Sequence, residues 1–172
     1  MLTMLNSGWR NYIEMQGRML KEPLAVFDEV APARDLKRSF GVLIISGTIY
    51  ALAAVLIGHP RWPLLHGMVL LLNALGMATV TALVGYGLMA LTTRRRVPFT
   101  CVLPIYALSS GLTLLVAWIP LSIWVTEPWK WWLIGSGLTR CCALKGWQAA
   151  IIIMGSISLI TFIFLFCIKF TV

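Results

Sequence analysis

Charge is what this chain has least of. Of its 172 residues, 12% are charged and 59% hydrophobic, against about 25% charged in a soluble globular domain, and mean hydropathy is +0.87. No side chain is formally charged from Pro63 to Thr93, nor from Val97 to Thr126. Each stretch exceeds the ~20 apolar residues that cross a bilayer's ~30 Å hydrocarbon core, which excludes a soluble domain. Acidic residues are scarcer still. Glu14, Glu22, Asp28, Glu29 and Asp35 lie ahead of the apolar runs, and only Glu127 lies beyond. Paired carboxylates facing one pocket, as hydrolysis needs, are therefore not expected. The chain also lacks a Walker loop, an HExxH and a G-x-S-x-G. Gly85-Tyr86-Gly87 is too short for a nucleotide loop and falls inside an apolar helix. No enzymatic activity is expected.

Histidine and cysteine are equally sparse. His59 and His66 are placed near one end of the apolar runs, not at the membrane depth where paired histidines hold a haem. None of Cys101, Cys141, Cys142 and Cys167 forms a C-x-x-C pair, which argues against zinc. No cofactor is expected. Cys101 and Cys167 read as small apolar residues. Cys141-Cys142 reads as two reduced thiols at the membrane edge, with lipidation the alternative.

What the chain does carry is positive charge, 14 Lys and Arg and a net charge of +8. It clusters beside the apolar runs, as the positive-inside rule requires, so nucleic acid is not an expected partner. A charge at the centre of a spanning helix costs roughly 2.5–3.5 kcal/mol. Arg94-Arg95-Arg96 therefore belongs in water or among headgroups on the cytoplasmic side, as a topology determinant or a headgroup contact.

Residues 1–38 form a polar preface that mixes both signs of charge and lacks the apolar core of a cleavable signal peptide. Ser7 can cap a helix from Gly8 to Lys21. Trp9, Tyr12, Ile13, Met19 and Leu20 share one face of it, and Arg10, Glu14 and Arg18 the other. This is expected to be an amphipathic helix on the cytoplasmic membrane surface, or one packed on another subunit. Pro23 opens a second short helix to Val30, with Leu24 and Phe27 on its apolar side and Pro32 ending it.

Residues 39–172 are expected to form an all-α polytopic helix bundle. Spans are predicted over Ser39–Ile57, Leu64–Leu91, Cys101–Ile119, Leu121–Leu138 and Trp147–Ile168. The first two should form an antiparallel hairpin, joined through Ala74, Ala78 and Ala82, because small residues let helices approach closely. Ala107 and Gly111 offer a second close contact. Asn73 needs a partner inside the membrane, either a neighbouring helix or a ligand. Pro104 is placed in the first turn of its helix, where proline is tolerated.

Two readings of Leu121–Leu138 stay open. It is either one short span in which Glu127 and Lys130 pair at i, i+3, or an external loop over Thr126–Lys130 followed by a re-entrant half-helix. Five spans with the N-terminus inside leave only Arg61, Lys130 and Lys169 outside. The half-helix version leaves Arg61, Lys130, Arg140 and Lys145 outside, so charge placement prefers five. Glu127 is an intramembrane functional candidate or half of an interfacial ion pair.

The order of features resembles the Yip-domain family of small multi-span membrane proteins. The likeness runs through Leu20-Lys21-Glu22-Pro23 and Phe27, the long second helix with its basic loop, and Pro104-Ile105-Tyr106-Ala107. It continues in Trp132-Leu133-Ile134-Gly135 with Leu138, and in Trp147-Gln148-Ala149-Ala150. The chain lacks the long acidic N-terminus and the Asp-Leu-Tyr-Gly-Pro motif of the eukaryotic branch, and is more similar to the compact prokaryotic branch. The resemblance implies five helices, no catalytic residues and no cofactor. It makes the leading expectation a membrane-organising or partner-holding scaffold in a prokaryotic cytoplasmic membrane. Its partners would be lipids, other membrane subunits or further copies of itself. The alternatives are an accessory subunit of a larger membrane complex, for example a respiratory one, and a small transporter or lipid-binding protein using Glu127.

Overall fold

The computed structural model describes residues 2–33, 36–93, 97–119 and 121–171, with the side chains of residues 2–9, 30–33, 167, 168, 170 and 171 outside the description. Arg94, Arg95 and Arg96 thus lie outside the described residues. Among the described residues the chain is all helix: α1 Leu2–Lys21, α2 Pro23–Ala33, α3 Leu36–Gly58, α4 Pro63–Thr92, α5 Phe99–Leu114, α6 Ile123–Cys141 and α7 Gly146–Thr171. Three are long and apolar enough to cross a membrane, namely α3, α4 and the Gly146–Phe166 part of α7.

The remaining two bundle helices, α5 and α6, fall short of that measure for different reasons. α5 has 16 residues, about 24 Å at 1.5 Å per residue. It is buried from Val102 to Ser109 and again from Gly111 to Thr113. A helix that is apolar all round belongs inside a bundle, and α5 is packed on α2, α3, α4 and α6. α6 carries Glu127 and Lys130, which lower its hydropathy. It is nonetheless one continuous helix through Glu127-Pro128-Trp129-Lys130, which removes the external-loop reading of Thr126–Lys130. Pro128 lies in its second turn and leaves the Trp124 carbonyl without its intrahelical donor.

The α3–α4 hairpin is antiparallel, as expected. A Cβ on Gly47 would lie 3.0 Å from Leu71 and 3.9 Å from Ala74, and one on Gly67 3.5 Å from Val55. Ala78 does not meet α3 alone, since it is buried with both Leu43 of α3 and Ala107 of α5. Gly111 brings α5 against α3, where a Cβ would lie 3.3 Å from Val42 and 3.4 Å from the Ser46 hydroxyl. Tyr106, fully buried, places its hydroxyl over Gly85 of α4, in the space a Cβ would need. Small residues thus set the helix spacing, as membrane bundles require when lipid supplies no hydrophobic drive between helices. The helix containing Pro104 begins at Phe99, two residues earlier than expected. Pro104 therefore sits in the second turn, not the first, and leaves the Thr100 carbonyl without its intrahelical donor.

The N-terminal preface differs most from expectation. α1 starts at Leu2, so Ser7 is interior to it, and α2 runs past Pro32 to Ala33. The covered face of α1 is Tyr12, Met15, Gln16 and Met19, spaced i, i+3, i+4 and i+7. Tyr12, Met19 and Phe27, expected to touch lipid or a partner, are instead buried against the chain's own helices. Ile13 and Leu20 stay open, at 54% and 60% exposed. The reason is a rotation of the helix face. Met15 and Gln16, passed over in the sequence, complete the row that faces α3, and Ile13 and Leu20 fall to its flank. Only the backbone of Trp9 is described, so its expected contact lies outside the described residues.

Candidate functional site

Four helices leave a cavity of about 350 Å³ between them. α3 contributes Tyr50. On α4, Asn73, Met77 and Thr81 line it at i, i+4 and i+8, the row beside the alanines that pack the hairpin. Ser110 and Thr113 of α5, Ala117 of the turn that follows it, and Ile123, Thr126, Glu127 and Lys130 of α6 complete it. Each set sits at three- or four-residue spacing, so each is one helix face. The three candidate polar residues singled out in the sequence, Asn73, Glu127 and Lys130, are therefore brought to one place.

Lys130 Nζ donates to Glu127 Oε1 at 2.6 Å. The lysine side chain is the more enclosed of the two, at 18% exposed against 45% for the glutamate, and its ammonium lies 5.4 Å from the Trp131 ring centre. Thr81 donates to the carbonyls of Met77 (2.8 Å) and Ala78 (3.0 Å), and Thr113 to those of Ser109 (3.3 Å) and Ser110 (3.1 Å). These hydroxyls are satisfied as donors and keep acceptor capacity toward the cavity. By contrast, the side chains of Tyr50, Asn73, Ser110 and Thr126 line the same space with no hydrogen-bond partner among the described residues. Asn73 is therefore not held by an interhelical hydrogen bond, the common arrangement for such a residue. Tyr50, Ser110 and Thr126 were missed in the sequence. Thr126 adjoins Glu127 on α6, which was the available signal for it, whereas nothing in the sequence tied Tyr50 of α3 or Ser110 of α5 to the site.

A second polar cluster lies where α1 meets the bundle. The Tyr12 and Ser46 hydroxyls are 2.8 Å apart, and Gln16 Nε2 donates to Ser46 Oγ at 3.2 Å. Gln16 is only 6% exposed, and its Oε1 is buried with no partner among the described residues. Glu29 of α2 then fastens the three segments, with Arg18 of α1 at 2.8 Å and Arg38 of α3 at 3.0 Å. Hydrogen bonds from Arg18 first, and then from Arg38, hold its carboxyl below the usual glutamate value. Nearby, Asp28 lies 3.8 Å from Arg140, and the Cys141 thiol reaches the Phe27 carbonyl at 3.6 Å. Cys101, Cys141 and Cys142 are free thiols. Among the described residues no group of three His, Cys, Asp or Glu is placed to hold a metal ion.

No protein-family model matches the chain, and no curated protein and no solved structure matches it either.

Proposed function

We propose that this is a non-enzymatic five-helix protein of a prokaryotic cytoplasmic membrane, N-terminus inside, that binds a small polar molecule or a lipid headgroup in the cavity between α3, α4, α5 and α6. One observation carries the reading. Asn73, Glu127 and Lys130 come from distant parts of the chain and face one space, with unpartnered groups of Tyr50, Ser110 and Thr126 beside them. Polar side chains inside a membrane bundle cost free energy unless something satisfies them. Here neighbouring helices do not, which leaves a ligand or water. The carboxylate is already held by an ammonium, an arrangement suited to gripping charge rather than to moving protons. Counting α5 and α6 as spans is supported by the enclosure of α5 and by the self-pairing of the charges on α6.

A partner-holding role, which the Yip-like order of elements would imply, has separate support. Phe162, Phe164 and Phe166 of α7 stay exposed, and the Phe162 and Phe166 rings stack at 6.2 Å.

Filling the cavity tests the binding role. In protein extracted from its own membrane with mild detergent, Ser110→Leu should abolish a co-extracted small molecule or lipid seen by native mass spectrometry with the wild type. Identical spectra for the two proteins would refute the reading.

A further inference from the structure

The geometry points to a zwitterion as the ligand: a molecule with an ammonium and a phosphate or carboxylate on one short linker, its ammonium on Glu127 and its anion on Lys130. This rests on the binding role proposed above and goes further by naming the chemical class.

Charge balance makes the argument. Glu127 and Lys130 neutralise each other, so the cavity wall has no net charge to offer. A lone cation could gain Glu127 only by competing with Lys130, and would carry uncompensated charge into a partly enclosed site, which is costly. A lone anion meets the same difficulty at Lys130. A zwitterion adds no net charge. It also finds both halves of the pair incompletely used. The second carboxylate oxygen of Glu127 has no partner among the described residues. Lys130 has three donors, one of which is on Glu127. The four-centre arrangement that results alternates in sign and leaves no ion unpaired.

The rest of the wall suits the same ligand. Anionic oxygens are acceptors and need several donors, which the hydroxyls of Tyr50, Ser110 and Thr126 and the Asn73 amide can supply. An ammonium needs acceptors, and the amide oxygen of Asn73 and the oxygens of Thr81 and Thr113 supply those. The volume, about 350 Å³, is at the lower end for ligand pockets. It has room for a headgroup or a free small zwitterion and not for a two-chain lipid. The apolar side chains of Met77, Leu114 and Ile123 at the same cavity would let a lipid's glycerol and chains leave toward the bilayer.

The test uses full-length protein in phosphatidylglycerol nanodiscs, titrated separately with glycerophosphoethanolamine, ethanolamine and dimethyl phosphate while tryptophan fluorescence is followed, since Trp131 adjoins Lys130. Glycerophosphoethanolamine, a phosphodiester with no net charge, should bind at least about tenfold more tightly than either fragment. Glu127→Gln should abolish the preference over dimethyl phosphate, and Lys130→Gln the preference over ethanolamine, each with helical content and size-exclusion profile unchanged. A parallel arm asks for the source. Native mass spectrometry from nanodiscs of mixed phosphatidylethanolamine and phosphatidylglycerol should show selective retention of the former if the zwitterion is a headgroup. Binding of the free compound without such retention identifies a soluble zwitterion, and either result supports the class. If a fragment binds as well as the zwitterion, or no probe binds and neither lipid is preferred, the class is wrong. The binding role survives that result if Ser110→Leu still strips a co-extracted molecule, and falls with it if nothing is stripped. Should either charge variant fail to fold, the wild-type comparison of the three probes decides alone.

Discussion

Ser46→Ala should undock α1 far more than the loss of one hydroxyl suggests. Ser46 lies ten residues into α3, pressed against Gly111 of α5, and accepts from Gln16 at 3.2 Å. Alanine fits the space without strain, so packing is unchanged. What changes is the Gln16 amide, already short of a partner at Oε1, which would lose its donor bond as well, and the Tyr12 hydroxyl, which would lose its 2.8 Å contact with Ser46. Leaving a buried polar group unsatisfied costs about 1–3 kcal/mol. That corresponds to a roughly 5–150-fold rise in the opening equilibrium of the segment. Hydrogen–deuterium exchange of amides 12–21, measured in nanodiscs, reads this opening directly.

Gln16→Leu discriminates between mechanisms. It gives up one hydrogen bond, worth about 0.5–1.5 kcal/mol, but also removes the unpartnered oxygen and buries an apolar side chain instead. Exchange should stay near wild type or slow down, and Ser46→Ala made on top of Gln16→Leu should cost less than it does alone. The reasoning fails if Ser46→Ala leaves exchange within about twofold of wild type, or if the two substitutions add as independent sites do.

The Glu29 clasp should be acid-sensitive. Its carboxyl is depressed by Arg18 and Arg38, so the stabilisation is complete above the ordinary glutamate value and is lost as pH falls through the depressed one. With both partners about 40% exposed, the effect should stay under about 1 kcal/mol. Glu29→Gln should give faster α1 exchange at neutral pH and remove the added acid dependence. Gly85→Ala should lower thermal stability in detergent by about 1–3 kcal/mol, because the new methyl meets the Tyr106 hydroxyl, and Tyr106→Phe should restore part of the loss. A reporter active only in the cytoplasm, fused after Val172, should stay silent if α5 and α6 both span, and a strong signal would reject five spans.

The helices were legible wherever periodicity or apolar length marked them. α4 was placed to within a residue at each end, because Pro63 and the arginines bound it, and the α3–α4 hairpin followed from its short connection. The covered face of α1 was not legible. Choosing it by apolar side chains at three- to four-residue spacing took in Ile13 and Leu20, whereas the bundle selected Met15 and Gln16 through a polar partner, Ser46, thirty positions from Gln16 in the chain. The continuity of α6 was likewise undecidable from Glu127-Pro128-Trp129-Lys130 alone. The i, i+3 pairing that keeps it helical is as compatible with a turn until Leu133, Ile134 and Leu138 are seen buried on one face. Asn73 was recognised as needing a partner. Which partner depended on Tyr50, Ser110 and Thr126, whose own helices had to be assembled first.

The two polar clusters share a seam and differ in what covers them. Ser46 and Tyr50 are one turn apart on α3, and Ser110 and Gly111 are neighbours on α5. On one side of that seam, Ser46 is covered by Tyr12 and Gln16 of α1, side chains the chain itself supplies. On the other, Tyr50 and Ser110 face the cavity with no hydrogen-bond partner for their side chains among the described residues. A purely structural role for intramembrane polar residues predicts the first arrangement throughout, since interhelical bonds worth ~0.6–2 kcal/mol are available wherever helices touch. The seam is tight enough to have closed the cavity too, because glycine or alanine at Gly47, Ala78, Ala107 and Gly111 already brings three helices together. Yet α6, tied to α5 by the close approach of Gly137 to Ile105, stands away from α4 at the level of Glu127 and Lys130. A bundle packed only for stability would place apolar side chains there. An ion pair ringed by unpartnered hydroxyls is what a binding site requires.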